Sequence, residues 1–244
     1  MNPVRRRQYR LGEAPFLHAT GRGVCVAIID SGIAPAHPHV GAVRGGIWLQ
    51  LEGEAPEYGD QLGHGTAVAA AVREKAPDAE LLAVRVFDRQ LVTNASIVAR
   101  AIEWAAGAGA HLINVSMGTL NAAHAERLCA AVERAEAAGA LVLSASVAGA
   151  DPVWPGVLPA VVGVDILEGS RRDAIEAQAC DDGTLRILAA PFPRPIPGVA
   201  PDRNLLGVSF AVANATGFLA RLRQTNPAAR TVATVRDALL GRSA

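Results

Sequence analysis

The sequence predicts an α/β fold: a doubly wound, mostly parallel sheet with helices on both faces. Three observations carry that expectation. Short, continuous apolar runs rich in β-branched residues read as strands buried on both sides. Alanine-rich stretches with helix start and stop signals alternate with those runs. Half of the 244 residues are hydrophobic while only 4% are aromatic, which suits small-residue helices packed on a parallel sheet better than an all-β sandwich.

The elements follow in order. Residues 24–29 (VCVAII) form the first strong strand. A helix over 65–76 ends because Pro77 cannot continue it. Residues 80–87 (ELLAVRVF) are a strand, and 94–109 a helix with a polar start and a glycine-rich end. The strand 111–116 (HLINVS) precedes a helix over 121–139 that stops on Gly139. Strands then follow at 140–146, 160–164 and 185–190. The proline-rich 190–201 is a rigid loop into the helix 209–224, and 231–241 is the last helix.

Charge and composition exclude several classes. Lys and Arg number 23, as do Asp and Glu, so no nucleic-acid or membrane partner is expected. The cluster Arg5–Arg6–Arg7 reads as part of a solvated tail, residues 1–13, ahead of a single domain in the 1–244 chain. Cys25, Cys129 and Cys180 are odd in number and far apart, with no CxxC. Neither a disulfide framework nor a zinc site is expected, and the thiols read as buried and free in a reducing compartment. No apolar segment of a signal peptide follows the N-terminal positive charge, and no apolar run reaches the roughly 18 residues of a membrane span. The expectation is a cytoplasmic protein.

Three residues suggest chemistry. Asp30 stands at the carboxyl end of the first strong strand, where open α/β sheets bind ligands. His64 lies between two glycines at a helix start, and Ser209 opens another helix. Each has an ordinary explanation alone: a turn aspartate, a surface or capping histidine, an N-cap serine. Together they fit one mechanism, in which Asp30 orients His64, His64 takes the proton of Ser209, and Ser209 attacks a carbonyl.

The motifs around them resemble the subtilisin-like serine protease (subtilase) family. AIIDSGIAPAHP resembles the family's Asp motif, GHGTAVAA its GHGTHVAG, and GVSFAVANATG its GTSMAxPHVAG. ASIVARAIEWA with HLINVSMGT, and WPGVLPAVVGV, resemble the stretches between them. The resemblance runs from about residue 14 to 222 and implies a subtilisin-like architecture with Asp30, His64 and Ser209 as the triad. It also implies that Ser116, Met117 and Gly118 form an edge on which an extended peptide or protein substrate adds as a strand. Trp104 and Trp154 read as packing residues, with a place at the border of the substrate pocket as the alternative for Trp154, within WPG.

One family feature is missing. The oxyanion of amide hydrolysis is held in subtilases by the serine N–H and an Asn side chain, in the pattern AAGN. Here Ala148 stands at the Asn position and Val208 replaces the Thr before Ser209. Losing one such donor costs about 2.7–4 kcal/mol, or roughly 10²–10³ in rate. Asp151 as a neutral acid, Ser144, Ser146 or an N–H near Gly149 are the candidate replacements.

The resulting expectation is a serine endopeptidase with a restricted substrate, such as a precursor peptide whose leader it removes. With the resemblance beginning near residue 14, neither a signal peptide nor a prodomain is expected ahead of it, which agrees with restricted work. The alternatives are an impaired relative that binds a peptide or partner, and an acyl-transferring, macrocyclising relative. No cofactor is implied; calcium ligands are not assignable, and no H-E-x-x-H spacing marks a metal site.

Overall fold

The computed structural model describes residues 5–180, 182–200 and 203–241. In chain order the strands are β1 (Arg6–Arg10), β2 (Cys25–Asp30), β3 (Gly45–Leu49), β4 (Glu54–Ala55), β5 (Glu80–Arg85), β6 (Leu112–Val115), β7 (Leu141–Ala145), β8 (Val147–Ala148), β9 (Asp151–Pro152), β10 (Val161–Ile166), β11 (Ala174–Ala179) and β12 (Leu185–Ala189). The helices are α1 (His64–Lys75), α2 (Ala95–Gly107), α3 (Ala125–Ala137), α4 (Val208–Thr225) and α5 (Val232–Leu240).

Among the described residues, ten strands form one sheet in the order β1-β11-β12-β10-β7-β6-β2-β5-β3-β4. The stretch from β12 to β3 is parallel throughout, and the antiparallel pairs lie at its two margins. The period of two along β2 shows why both faces are covered. Val26 and Ile28 enter a core shared with α1, α4 and α5, whereas Cys25, Ala27 and Ile29 enter a core shared with α2 and α3. The chain reverses its direction of travel across the sheet around β2, with β5 on one side and β6 on the other. At such a reversal doubly wound folds place ligands beyond the carboxyl ends of the strands, here those of β2 and β6.

The predicted elements all form, but the residues expected as a tail do not behave as one. Residues 6–10 are a strand paired antiparallel with β11, and residues 1–4 lie outside the described part of the chain. Besides its ladder with β11, the strand has one buried side-chain anchor. Tyr9 is buried, packs edge-on against Phe16, and donates its hydroxyl to the Leu239 carbonyl of α5. The arginines around it remain exposed, Arg7 over the Tyr9 ring, as suits an edge strand. Residue 201, the end of the proline-rich loop, also lies outside the described residues. All three cysteines are free, but only Cys25 is buried; Cys129 and Cys180 are half-buried.

An ion cluster around the buried Lys75 joins α1 to the loop before β11. Lys75, with a side chain 2% exposed, donates to Glu74, which also receives two bonds from Arg172. Burial first, then the Arg172 charge, lower the Lys75 pKa to about 8, against the pull of Glu74 and Asp173. The folded value lies below the unfolded value of 10.5, so the unfolded chain binds more protons between the two. Stability is therefore expected to rise with pH from about 8 to about 10.5. The shift corresponds to about 3 kcal/mol. Denaturant unfolding at pH 7.5 and pH 10 should show this gain in the wild type, and Lys75→Met should remove it. Equal pH dependence in both proteins would refute the assignment.

Candidate active site

Asp30 ends β2 with its side chain wholly buried. Its carboxylate accepts the Ser31 N–H at 2.7 Å and faces Nδ1 of His64 at 2.8 and 3.0 Å. A carboxylate offers no proton, so the proton of this bond sits on Nδ1, and in the neutral ring Nε2 keeps a free lone pair. His64 is the first residue of α1, and Gly65 lets that turn lie directly on the end of β2. A Cβ on Gly65 would come within 2.2 Å of the Gly32 carbonyl and 3.1 Å of the Asp30 Cβ.

Asp60 braces this turn. The helix N-cap, Gly63, has no side chain to cap it, and Asp60 supplies the acceptors instead. One carboxylate oxygen receives Ser31 Oγ and the N–H groups of Leu62 and Gly63, and the other receives Thr66 N–H and Oγ1, at distances from 2.6 to 2.9 Å. Burial alone would raise the Asp60 pKa; the bonds from Thr66, Leu62 and Gly63 outweigh it and hold it low. Burial likewise acts to lower the His64 pKa, but the bond and charge of Asp30, joined by the charge of Asp60, leave it raised above 6.5.

Ser209 is the second residue of α4, after the N-cap Gly207, so it is not an N-cap. Its backbone N–H belongs to the helix end where N–H groups lack intrahelical partners. Its hydroxyl donates to the Ser116 carbonyl at 3.0 Å, and the next ring, Phe210, lies 5.5 Å from the His64 ring. The structure thus brings Asp30 and His64 into direct contact and sets Ser209 on the neighbouring turn, bonded to Ser116. Side chains beneath fix this placement. Asn114, buried at the end of β6, donates to Ser116 Oγ at 2.9 Å and accepts from Thr216 of α4 at 3.0 Å. Asn214 donates to the Ala190 and Phe192 carbonyls and ties α4 to the proline-rich loop.

Ser116, Met117 and Gly118 run on from the end of β6. Beside them lies a cavity of about 250 Å³, lined among others by Val98, Met117, Gly118, Leu128 and Trp154. Trp154 lines this cavity and, like Trp104, packs against the core shared with α2 and α3. Ala148 and Asp151 are cross-strand partners in the small β8–β9 hairpin, and both are exposed. The turn between them has Gly149 at φ 66°, a conformation that glycine reaches without strain. Two candidate donors are engaged elsewhere. The Ser144 hydroxyl is directed at the Met117 carbonyl at 3.5 Å, and Ser146 donates to Asp165 at 2.6 Å.

Sequence reading missed Asp60, Ser31 and Asn114. The only signal for Asp60 was an acidic residue shortly before a helix start that lacks a capping side chain. Among the remaining histidines, His111 accepts the Cys25 N–H through Nδ1 at 2.9 Å. No group of three or more His, Cys, Asp or Glu side chains among the described residues is arranged to hold a metal ion. Nor is any described helix long and apolar enough to cross a membrane.

Comparison with known proteins gives a consistent picture. The model of the Subtilase family matches residues 21–154. The thermostable alkaline protease of Halalkalibacterium halodurans is 37% identical over 135 residues, covering 52% of this chain and 36% of that protein. Subtilisin E of Bacillus subtilis is 30% identical over 224 residues, covering 84% of this chain and 55% of that protein. The chain thus spans about a third to a half of the lengths of these relatives. Among solved structures, a prenylagaramide maturation protease superimposes with a TM-score of 0.64 at 25% identity, covering 91% of this chain and 84% of that one.

Proposed function

Since the chain belongs to the subtilase family, we propose that it is a serine endopeptidase that works through an acyl-Ser209 intermediate, with Asp30, His64 and Ser209 as its triad. The observation that carries this is the bond from His64 Nδ1 to the buried Asp30, which leaves Nε2 as the base, in a ring 5.5 Å from that of Phe210, the residue after Ser209. The Ser209 hydroxyl turns from the Ser116 carbonyl to Nε2, loses its proton there, and attacks the peptide carbonyl. His64 then returns the proton to the departing amine, and water releases the acyl group by the same route. The Ser209 N–H, at the positive end of α4, stabilises the oxyanion. Asp151, directly across from Ala148, is the side chain nearest in register to the position of the missing amide.

The substrate bonds to the backbone of Ser116–Gly118 as an added strand. Its natural form is a precursor peptide cut at one place. Likeness to a maturation protease supports that reading, and so does a site that lacks an Asn at Ala148.

Exposure to a fluorophosphonate, followed by intact-mass measurement, tests the reading. One adduct is expected on the wild type and none on Ser209→Ala. Failure of the wild type to react, under conditions that label an ordinary subtilase, would instead favour a peptide-binding role.

A further inference from the structure

Building on the acyl-enzyme reading, we infer that this chain accepts only a small residue, glycine or alanine, on the acyl side of the scissile bond, because Val153 fills the crevice that this residue's side chain must enter. The geometry runs upward from the sheet. β6 and β7 are parallel neighbours, paired as far as Val115 and Ser144. Beyond that pair the chain continues as Ser116–Gly118 on one side and Ala145–Ser146 on the other, and the two continuations flank one crevice. Ser209 stands at its mouth, its hydroxyl 3.0 Å from the Ser116 carbonyl. An attacked carbonyl carbon must lie about 3–3.5 Å from that hydroxyl oxygen. A substrate strand alternates its side chains between two sides. With its backbone on Ser116–Gly118, the side chain next to the attacked carbonyl points down between the two continuations.

The floor of that crevice is closed. Val153 is 7% exposed and lies against Gly118: a Cβ built on that glycine would come within 2.2 Å of Val153 Cγ1. The returning segment is also pinned in place. Val153 N–H donates to the Ser146 carbonyl at 3.0 Å, and Thr119 and Trp154 exchange two backbone bonds of 2.9 Å. Behind it, Gly156 sits so close to the end of β7 that a Cβ there would lie 1.8 Å from the Ala145 carbonyl. The floor therefore has no room to drop. The 250 Å³ cavity is lined by Met117, Gly118 and Trp154 but not by Val153, Ala145 or Ser146, so it serves a side chain further along the substrate and does not relieve this position.

The test uses a series of peptides that differ only in the residue before the cleaved bond: Gly, Ala, Leu and Phe. A single surplus methylene in a closed pocket lowers kcat/KM by roughly 10- to 200-fold. The wild type is therefore expected to favour Ala over Phe by about 100-fold or more. Val153→Ala and Val153→Gly should raise cleavage after Leu and Phe by about 10-fold or more, with little change for Ala. Val153→Thr, of nearly the same shape, should keep the wild-type preference. Equal or better cleavage after Phe by the wild type would overturn the inference even if Ser209 takes a fluorophosphonate. Absence of both labelling and cleavage would overturn the acyl-enzyme reading itself.

Discussion

Replacing His64 by alanine is expected to lower kcat by about 10⁶-fold, and adding Ser209→Ala to it is expected to cost almost nothing more. The two residues perform one proton transfer, so either loss removes the whole step. Asp30→Asn should be less damaging: the ring keeps a neighbour, but an amide in place of the carboxylate no longer fixes the Nδ1 tautomer. The pH profile gives a second readout. His64 works as a base only when neutral, so kcat/KM should fall as pH drops through its pKa, which the Asp30 and Asp60 carboxylates hold above 6.5 despite burial. Asp60→Asn should move that acid limb to lower pH without abolishing turnover. Additive losses in the double variant, or a pH limb untouched by Asp60→Asn, would show that these residues do not act as one unit.

Ala148→Asn is expected to raise kcat by about 10²–10³-fold, the value of one restored oxyanion donor. KM should change little, because the new bond forms as charge develops on the oxygen. The substitution is structurally mild. Ala148 is exposed in a two-residue strand, and its only partner across the hairpin is Asp151. A gain below tenfold would mean that a donor is already in place, and Asp151→Ala would then be the variant that loses activity. The experiment separates a slow enzyme from one whose second donor has moved across the hairpin.

The parallel centre of the sheet was legible because strands buried on both faces leave long β-branched runs, as VCVAII does in β2. The margins were not. β1 reads as polar because only Tyr9 faces inward, and β3 begins with two glycines. Edge strands owe their place to a partner, which a single segment does not announce. The same contrast holds at the site. Asp30, His64 and Ser209 stand in motifs that mark them. Asp60 acts through five hydrogen bonds to a loop conformation, and Asn114 through a contact with α4, 102 residues further along the chain. Val153 was silent because its effect depends on which glycine it meets.

The outermost strand has a consequence for how the chain assembles. Gln8 of β1 and its partner Glu176 lie 168 residues apart. The carbonyl that receives the Tyr9 hydroxyl belongs to Leu239, later still. Closing so long a loop is entropically costly until the far end is already ordered. During synthesis β1 therefore leaves the ribosome well before the partners it docks on. It waits, unpaired and arginine-rich, until β11 and α5 have formed the surface that receives it.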